Sequence, residues 1–245
     1  MRELGPLQIH LWQYPISDPV DARHLAHAVT FLSHAEMGRA STFNFEKNRA
    51  EYVLSHAMLR LVLSQYAPVR PEEWQFLTGP WGKPEIAGPA LDIPLWFNLS
   101  HADGFAACVA GRVPQLGVDV ENMNRKTSHD GLARRFFGAA EYDYLRRLPP
   151  HLQREAFFRI WTLKEAYIKA EGKGLSIPLA SFSFHFPDDC SAQVTLERNT
   201  GSTPDRWSFY EFQSGPDYRI SVGARNTGYA AFQVECLDAA PLLNG

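Results

Sequence analysis

The chain predicts an α+β fold built as two similar halves, each with a small antiparallel sheet packed by a long helix. Three observations predict it. Helices followed by short strands occur twice, with the division near residues 112–116 and no low-complexity linker there. A length of 245 residues fits one large domain or two closely packed halves. With 45% hydrophobic residues the chain can bury a sizeable core, and 21% charged residues leave it a polar surface. The expected halves are residues 1–114 and 115–245, sharing an interface.

The first part reads as helical. Asp21 is placed to cap a helix running through Leu32, and Ser33-His34-Ala35-Glu36 has capping-box spacing. From about Phe45 to Gln65, apolar residues recur at Val53, Leu54, Ala57, Met58, Leu61 and Val62, the stripe of an amphipathic helix. Strand patterns follow at Trp74–Thr78, Leu95–Leu99, Phe105–Ala110 and Leu116–Glu121, separated by turn residues such as Gly79-Pro80-Trp81-Gly82. A second helical block spans Asp130 to Glu171, broken near Pro149-Pro150 and stopped by Gly172; its last helix starts at about Gln153. Strands are predicted again near Ser181–Phe186, Trp207–Phe212, Tyr218–Val222 and Ala230–Cys236.

Composition narrows the function. A net charge of −3 provides no basic field for nucleic acid, so an anionic ligand needs a local basic pocket. The three cysteines, Cys108, Cys190 and Cys236, are far apart and lack CxxC spacing, which argues against a disulfide framework or a zinc cage. The start, Met-Arg-Glu-Leu-Gly-Pro, carries no apolar signal region, and no stretch approaches the roughly 20 apolar residues of a membrane span. A cytoplasmic protein without membrane partners is expected.

Four segments could carry chemistry. In Gly117-Val118-Asp119-Val120-Glu121, strand alternation puts Asp119 and Glu121 on one face. Such a pair suits magnesium, which takes one or two carboxylates plus waters and phosphates, although a solvated strand face has the same pattern. In Trp161-Thr162-Leu163-Lys164-Glu165-Ala166-Tyr167-Ile168-Lys169, Trp161, Glu165 and Lys169 form one helical stripe. A surface Glu–Lys pair explains that spacing too, but the apolar surroundings imply partial burial and a partner for the carboxylate. Phe97-Asn98-Leu99-Ser100-His101 runs a strand into a polar turn; it has no G-x-S-x-G elbow, and its hydroxyl and imidazole could hydrogen-bond a phosphate. Trp81-Gly82-Lys83-Pro84-Glu85 is a turn with a lysine and lacks P-loop spacing.

The order of these segments is more specific than any one of them. Gly82-Lys83-Pro84, Phe97 to His101, Gly117 to Glu121, Arg135-Phe136-Phe137 with Glu141-Tyr142, and Trp161 to Lys169 followed by Gly172-Lys173-Gly174-Leu175 resemble the Sfp-type 4′-phosphopantetheinyl transferases. The Lys-Glu-Ala triplet resembles the sub-branch that carries it. The resemblance is strong over roughly residues 80 to 180 and looser in the flanks.

The resemblance implies a pseudo-dimer of α+β halves with coenzyme A in the cleft between them. The N-terminal half would contact nucleotide and phosphates, and the C-terminal half would hold the metal site and catalytic helix. It implies Mg2+ held by Asp119, Glu121 and Glu165, and phosphates met by Lys83, Ser100, His101 and Lys169. Catalysis would fall to Glu165, Lys169 and Asp119, and Arg49 would reach the 3′-phosphate. The partners implied are coenzyme A and apo acyl or peptidyl carrier proteins, and a monomer would suffice. The chain departs from the family pattern at Glu51, where many members have arginine. It also retains only Arg39 of a basic run before the helix, so Arg39, Arg49 and Arg60 compete for the 3′-phosphate. Arg134, Arg135, Arg146 and Arg147 offer a docking face for an acidic carrier. A magnesium-dependent phosphodiesterase and a catalytically inactive carrier-binding homologue are the competing readings.

Overall fold

A strand, not a helix, opens the chain. β1 (Gln8–Pro15) precedes the predicted helices, and its residues are buried on both sides. Ile9 and Leu11 pack with Phe105, Val118 and Ile220, whereas Trp12 and Tyr14 pack with Val53, Leu54 and Met58. A strand covered on both faces lacks the alternation by which half-exposed strands are read. The computed structural model describes residues 1–186, 195–198, 207–226 and 231–244. Cys190 and the first residue of the strand predicted at Ala230–Cys236 lie outside these.

The capping signals do form helices. α1 (Ala22–Val29) starts where Asp21 accepts the amides of Arg23 and His24, and α2 (His34–Ala40) starts in a complete capping box between Ser33 and Glu36. α3 (Glu46–Leu63) follows with the predicted apolar stripe turned inward. Strands β2 (Gln75–Thr78) and β3 (Pro84–Gly88) form a hairpin around the Trp81 turn. Then come β4 (Trp96–Ala102), β5 (Phe105–Gly111) and β6 (Leu116–Asn122). The second helical block resolves into α4 (His129–Phe136), α5 (Ala139–Arg147) and α6 (Pro150–Glu171). Pro150 sits in the first turn of α6, where its missing N–H costs nothing, and Gly172 ends the helix at φ 68° in the left-handed region. Strands β7 (Phe182–His185), β8 (Thr195–Arg198), β9 (Trp207–Ser214), β10 (Tyr218–Arg225) and β11 (Gln233–Asp238) complete the sheets, and α7 (Ala240–Leu243) follows.

A four-stranded sheet has the order β11-β1-β5-β4, parallel only between β11 and β1, and a three-stranded antiparallel sheet has the order β6-β10-β9. The strand order crosses the 114/115 division, because β11 lies beside β1. α3 covers one face of the larger sheet. Its other face, with Leu11, Phe105 and Val109, shares a core with Val118, Val120, Ile220 and Val222 of the smaller sheet. The opposite face of β6 is packed by α6. Thr162 Oγ1 lies 2.8 Å from Ser221 Oγ of β10, and a Cβ placed on Gly117 would lie 2.2 Å from the Ala166 carbonyl oxygen.

A buried ion pair anchors α6 from its other side. Lys164 Nζ lies 2.7 Å from Glu141 Oε2 and donates to the carbonyls of Leu179 (2.8 Å) and Phe182 (2.6 Å). Glu141 also accepts the amides of Gly138 and Phe184, each at 2.8 Å. Every charge in this pair has its hydrogen bonds, the condition under which a buried pair is tolerated. Among the described residues no helix is long and apolar enough to cross a membrane.

The close approach at Gly117 sets an expectation for stability. Gly117→Ala should lower unfolding free energy by about 3 kcal/mol, because backbone rather than a flexible side chain blocks the new methyl; chemical denaturation of the purified variant measures it.

Candidate active site

β4 and β6 belong to different sheets, and side chains join them. Asn98 Oδ1 accepts the Val118 amide at 2.9 Å, and Ser100 Oγ accepts the Val120 amide at 3.3 Å. The next residue along each strand is thereby brought near α6. Ser100 Oγ donates to Asp119 Oδ1 at 3.1 Å, and Lys169 Nζ donates to Asp119 Oδ1 at 2.7 Å and to Ser100 Oγ at 2.8 Å. Asp119 is buried, and its second oxygen, Oδ2, has no hydrogen-bond partner. A buried carboxylate oxygen left without a donor is a costly feature that a bound cation would relieve.

The charge of Asp119 is felt by two further carboxylates, Glu121 and Glu165. Burial pushes Asp119 above its ordinary value, although Lys169 and Ser100 pull the other way. Burial, reinforced by the Asp119 charge, raises Glu121 to about 7 against the opposing pull of Arg125, Lys169 and a hydrogen bond from Trp161. Arg125 Nη1 lies 3.3 Å from Glu121 Oε1 and 3.2 Å from Oε2. Glu165 is raised by burial and then by Asp119, with Lys169 opposing. Burial thus disfavours all three as anions, and the charge of Asp119 adds to that at Glu121 and Glu165, an arrangement that a bound cation would relieve.

Among the described residues, however, no three His, Cys, Asp or Glu side chains stand together as a ready ligand set. The expected cage of Asp119, Glu121 and Glu165 is not pre-assembled: the ammonium of Lys169 neutralises Asp119, and Arg125 holds Glu121. The donor chemistry still fits magnesium, since all three side chains offer hard oxygens and Asp119 Oδ2 is an unused acceptor.

A groove of about 260 Å³ adjoins these groups, lined by Trp81, Lys83, Leu99, Glu165, Ile168 and Lys169. Lys83 differs from expectation. It lines the groove, but its Nζ donates to the carbonyls of Leu116 at 3.0 Å and Ala170 at 3.1 Å, and burial brings it down to about 8. As placed, it ties the end of α6 to β6 instead of presenting its ammonium to a phosphate. His101 has an open edge; the crowding around its ring, then His56 and Lys169, hold it below the ordinary histidine value.

The arginines separate. Arg60 is buried, with Nε donating to Glu36 Oε2 at 2.9 Å and Nη1 to the carbonyls of Pro71 and Trp74, so it is withdrawn from the 3′-phosphate candidates. Arg49 lines a different cavity, of about 410 Å³, with Asp18, Lys47 and Glu51, so the structure does not bring it to the groove. Arg39 is exposed over the Phe43 ring. Glu51, at the position where arginine was looked for, accepts the Gly104 amide at 2.9 Å.

Two site residues escaped the sequence reading. Asn98, within the Phe97 to His101 segment, carries no chemical signal in the sequence, yet it is half of the β4–β6 joint. His56 lies near His101, and Glu36 Oε1 is 3.0 Å from its Nδ1. The polar stripe Tyr52, His56 and Arg60 on α3, at i, i+4 and i+8, was the signal available for it.

Comparison with known proteins now decides the family. The family model described as the 4′-phosphopantetheinyl transferase superfamily matches residues 115–223. The chain is 36% identical over 169 residues to the 4′-phosphopantetheinyl transferase HetI of Nostoc, covering 69% of this chain and 70% of that protein. The chain belongs to the 4′-phosphopantetheinyl transferase superfamily. It is also 29% identical over 212 residues to Sfp of Bacillus subtilis, covering 86% of this chain and 90% of that one. To the transferase gsp of Aneurinibacillus migulanus it is 33% identical over 198 residues, 81% and 78% of the two chains. In this superfamily member β6 and α6 fall within the matched residues, and the groove beside them also takes Trp81, Lys83 and Leu99 from outside that span.

The pH dependence of stability checks the electrostatics. Glu121 titrates at about 7 when folded against an ordinary 4.5, so the folded state binds more protons between these values and loses stability as pH rises through them. Glu121→Gln should therefore stabilise the protein by on the order of 2 kcal/mol at about pH 8 and leave it nearly unchanged at about pH 4, as read by denaturant titration at each pH.

Proposed function

We propose that the protein transfers the 4′-phosphopantetheine arm of coenzyme A to a serine hydroxyl of an apo acyl or peptidyl carrier protein, releasing 3′,5′-ADP. Membership of the superfamily supports an enzyme of this reaction class. What supports the residue assignment is the buried, unpartnered Oδ2 of Asp119, whose charge also acts on Glu121 and Glu165, beside a groove that Glu165 and Lys169 line. In this reading the two sheets are the faces of a pseudo-dimer with the active site at their joint, and a cytoplasmic monomer is sufficient.

Asp119, Glu121 and Glu165 would hold Mg2+, with Asp119 Oδ2 its best-prepared oxygen. When bound, the ion supplies neutralisation of pyrophosphate charge. Glu165 takes the proton of the carrier serine, directly or through one water, because burial beside Asp119 makes its carboxylate a stronger base than an exposed glutamate. The serine oxygen forms a bond to the β-phosphorus of coenzyme A, and the bond from that phosphorus to the bridging oxygen breaks. Lys169, one helical turn beyond Glu165, offsets the charge on the departing 3′,5′-ADP. His101 orients phosphate oxygens, with His56 and Arg39 nearest in character to a 3′-phosphate grip. Ser100, expected to meet a phosphate, commits its hydroxyl to Asp119, Val120 and Lys169 and positions those groups instead. Lys83 contributes by holding the end of α6 in register.

Intact-mass measurement of an apo-carrier incubated with enzyme, coenzyme A and Mg2+ tests the proposal. Wild type should add one phosphopantetheine to the carrier, whereas Asp119→Ala and Glu165→Ala should each slow transfer by at least about a hundredfold with circular dichroism unchanged. Unmodified carrier alongside hydrolysed coenzyme A would point instead to a phosphodiesterase. The exposed arginines of α4 and α5 give a second test. Reversing Arg134, Arg135 and Arg147 to glutamate should raise KM for an acidic carrier by about fivefold and leave KM for coenzyme A unchanged.

A further inference from the structure

Asp119 already has a cation. Lys169 Nζ, Asp119 Oδ1 and Ser100 Oγ form a closed ring of contacts at 2.7, 2.8 and 3.1 Å. The Val120 amide, 3.3 Å from Ser100 Oγ, occupies one lone pair of the hydroxyl and leaves its proton for Asp119. The seat is therefore built to hold an ammonium against a carboxylate 7% exposed. Lys169 itself is 28% exposed, and its side chain lines the groove. Its four-carbon stem lets the charged end move without moving the helix. Among the described residues, the neighbouring positive groups are engaged elsewhere: Arg125 stands on Glu121, and Lys83 is bonded to carbonyls.

We propose that Lys169 is a tethered competitor for the divalent ion. The ammonium neutralises Asp119 through Oδ1 until the ion binds the unpartnered Oδ2, and the ion's charge on the same carboxylate then displaces Lys169 from Oδ1 into the groove. This rests on the transferase reading and deepens it, since it orders the assembly of the site. On Asp119 the ammonium has committed two of its three N–H groups and most of its charge is offset, so the charge that Lys169 brings to the leaving group is weakened until the ion is in place. Ion and anionic ligand then strengthen each other's binding, because each favours the arrangement in which Lys169 has left Asp119. The competitor also partners Asp119 in the free protein, which offsets part of the cost of burying its carboxylate.

Two measurements on the full chain, without coenzyme A or carrier, test the proposal. The first is Mn2+ affinity from the free-ion paramagnetic resonance signal. Lys169→Met should bind Mn2+ about fivefold or more tightly than wild type, the change expected when a competitor occupies the site most of the time. The second uses wild-type protein labelled with 15N in its lysine side chains, with Lys169→Arg to assign the resonance. The Lys169 ammonium signal should be protected in the free protein and should shift or exchange away on addition of Mg2+ alone. Equal or weaker Mn2+ binding by the methionine variant overturns the proposal, as does a Lys169 signal unmoved at saturating Mg2+. Simple charge repulsion would tighten Mn2+ binding without moving that signal. Because neither measurement involves transfer, either failure leaves the carrier-modification result standing, and failed transfer with intact displacement would remove only the transferase reading.

Discussion

The site depends on a joint between two sheets in which side chains do the work of backbone pairing. Had β4 and β6 paired directly, their amides and carbonyls would have closed the space between them. Instead Asn98 and Ser100 reach across to the amides of Val118 and Val120, and the strands are held together with a polar lining. On the far side of β6, Gly117 lets α6 approach until a single methyl would strike its backbone. These two constraints bring Asp119 of β6 to Glu165 and Lys169 of α6, more than 40 residues away along the chain.

Within one helical segment, two lysines show opposite uses of a buried charge. Lys164 meets Glu141 and two carbonyls, and the pair is fully bonded and fully enclosed. Such a pair fixes α5 and β7 against α6 and has nothing left with which to bind a ligand. Lys169 stands five residues later on another face of the helix, against a carboxylate with one oxygen unpartnered. The completeness of the first arrangement and the incompleteness of the second separate scaffold from site. Glu121 and Glu165 extend the incomplete arrangement, since each is held above its ordinary value by burial and by the charge of Asp119.

Much of this was legible in the residues. The capping box at Ser33, the stripe of α3, the stop at Gly172 and the shared face of Asp119 and Glu121 all follow from local rules that the structure obeys. What was not legible depended on long-range packing. β1 is covered on both faces, so its sequence resembles no half-exposed strand, and its partner β11 comes from the other end of the chain. The commitment of Lys83 to carbonyls, the enclosure of Arg60 and the placement of Arg49 at another cavity are facts of tertiary position. A lysine after glycine or an arginine on a helix looks the same whether it meets a phosphate or a carbonyl. The seating of Lys169 on Asp119 was equally invisible, because helical spacing shows that Glu165 and Lys169 share a stripe but not what lies opposite.

The account is most directly tested by anomalous diffraction from crystals of the protein grown with Mn2+ and coenzyme A. It predicts one strong peak about 2.0–2.5 Å from oxygens of Asp119, Glu121 and Glu165, with the diphosphate of coenzyme A completing the coordination and Lys169 no longer on Asp119. A peak coordinated by other side chains, with the contact between Lys169 and Asp119 intact beside bound coenzyme A, would contradict it.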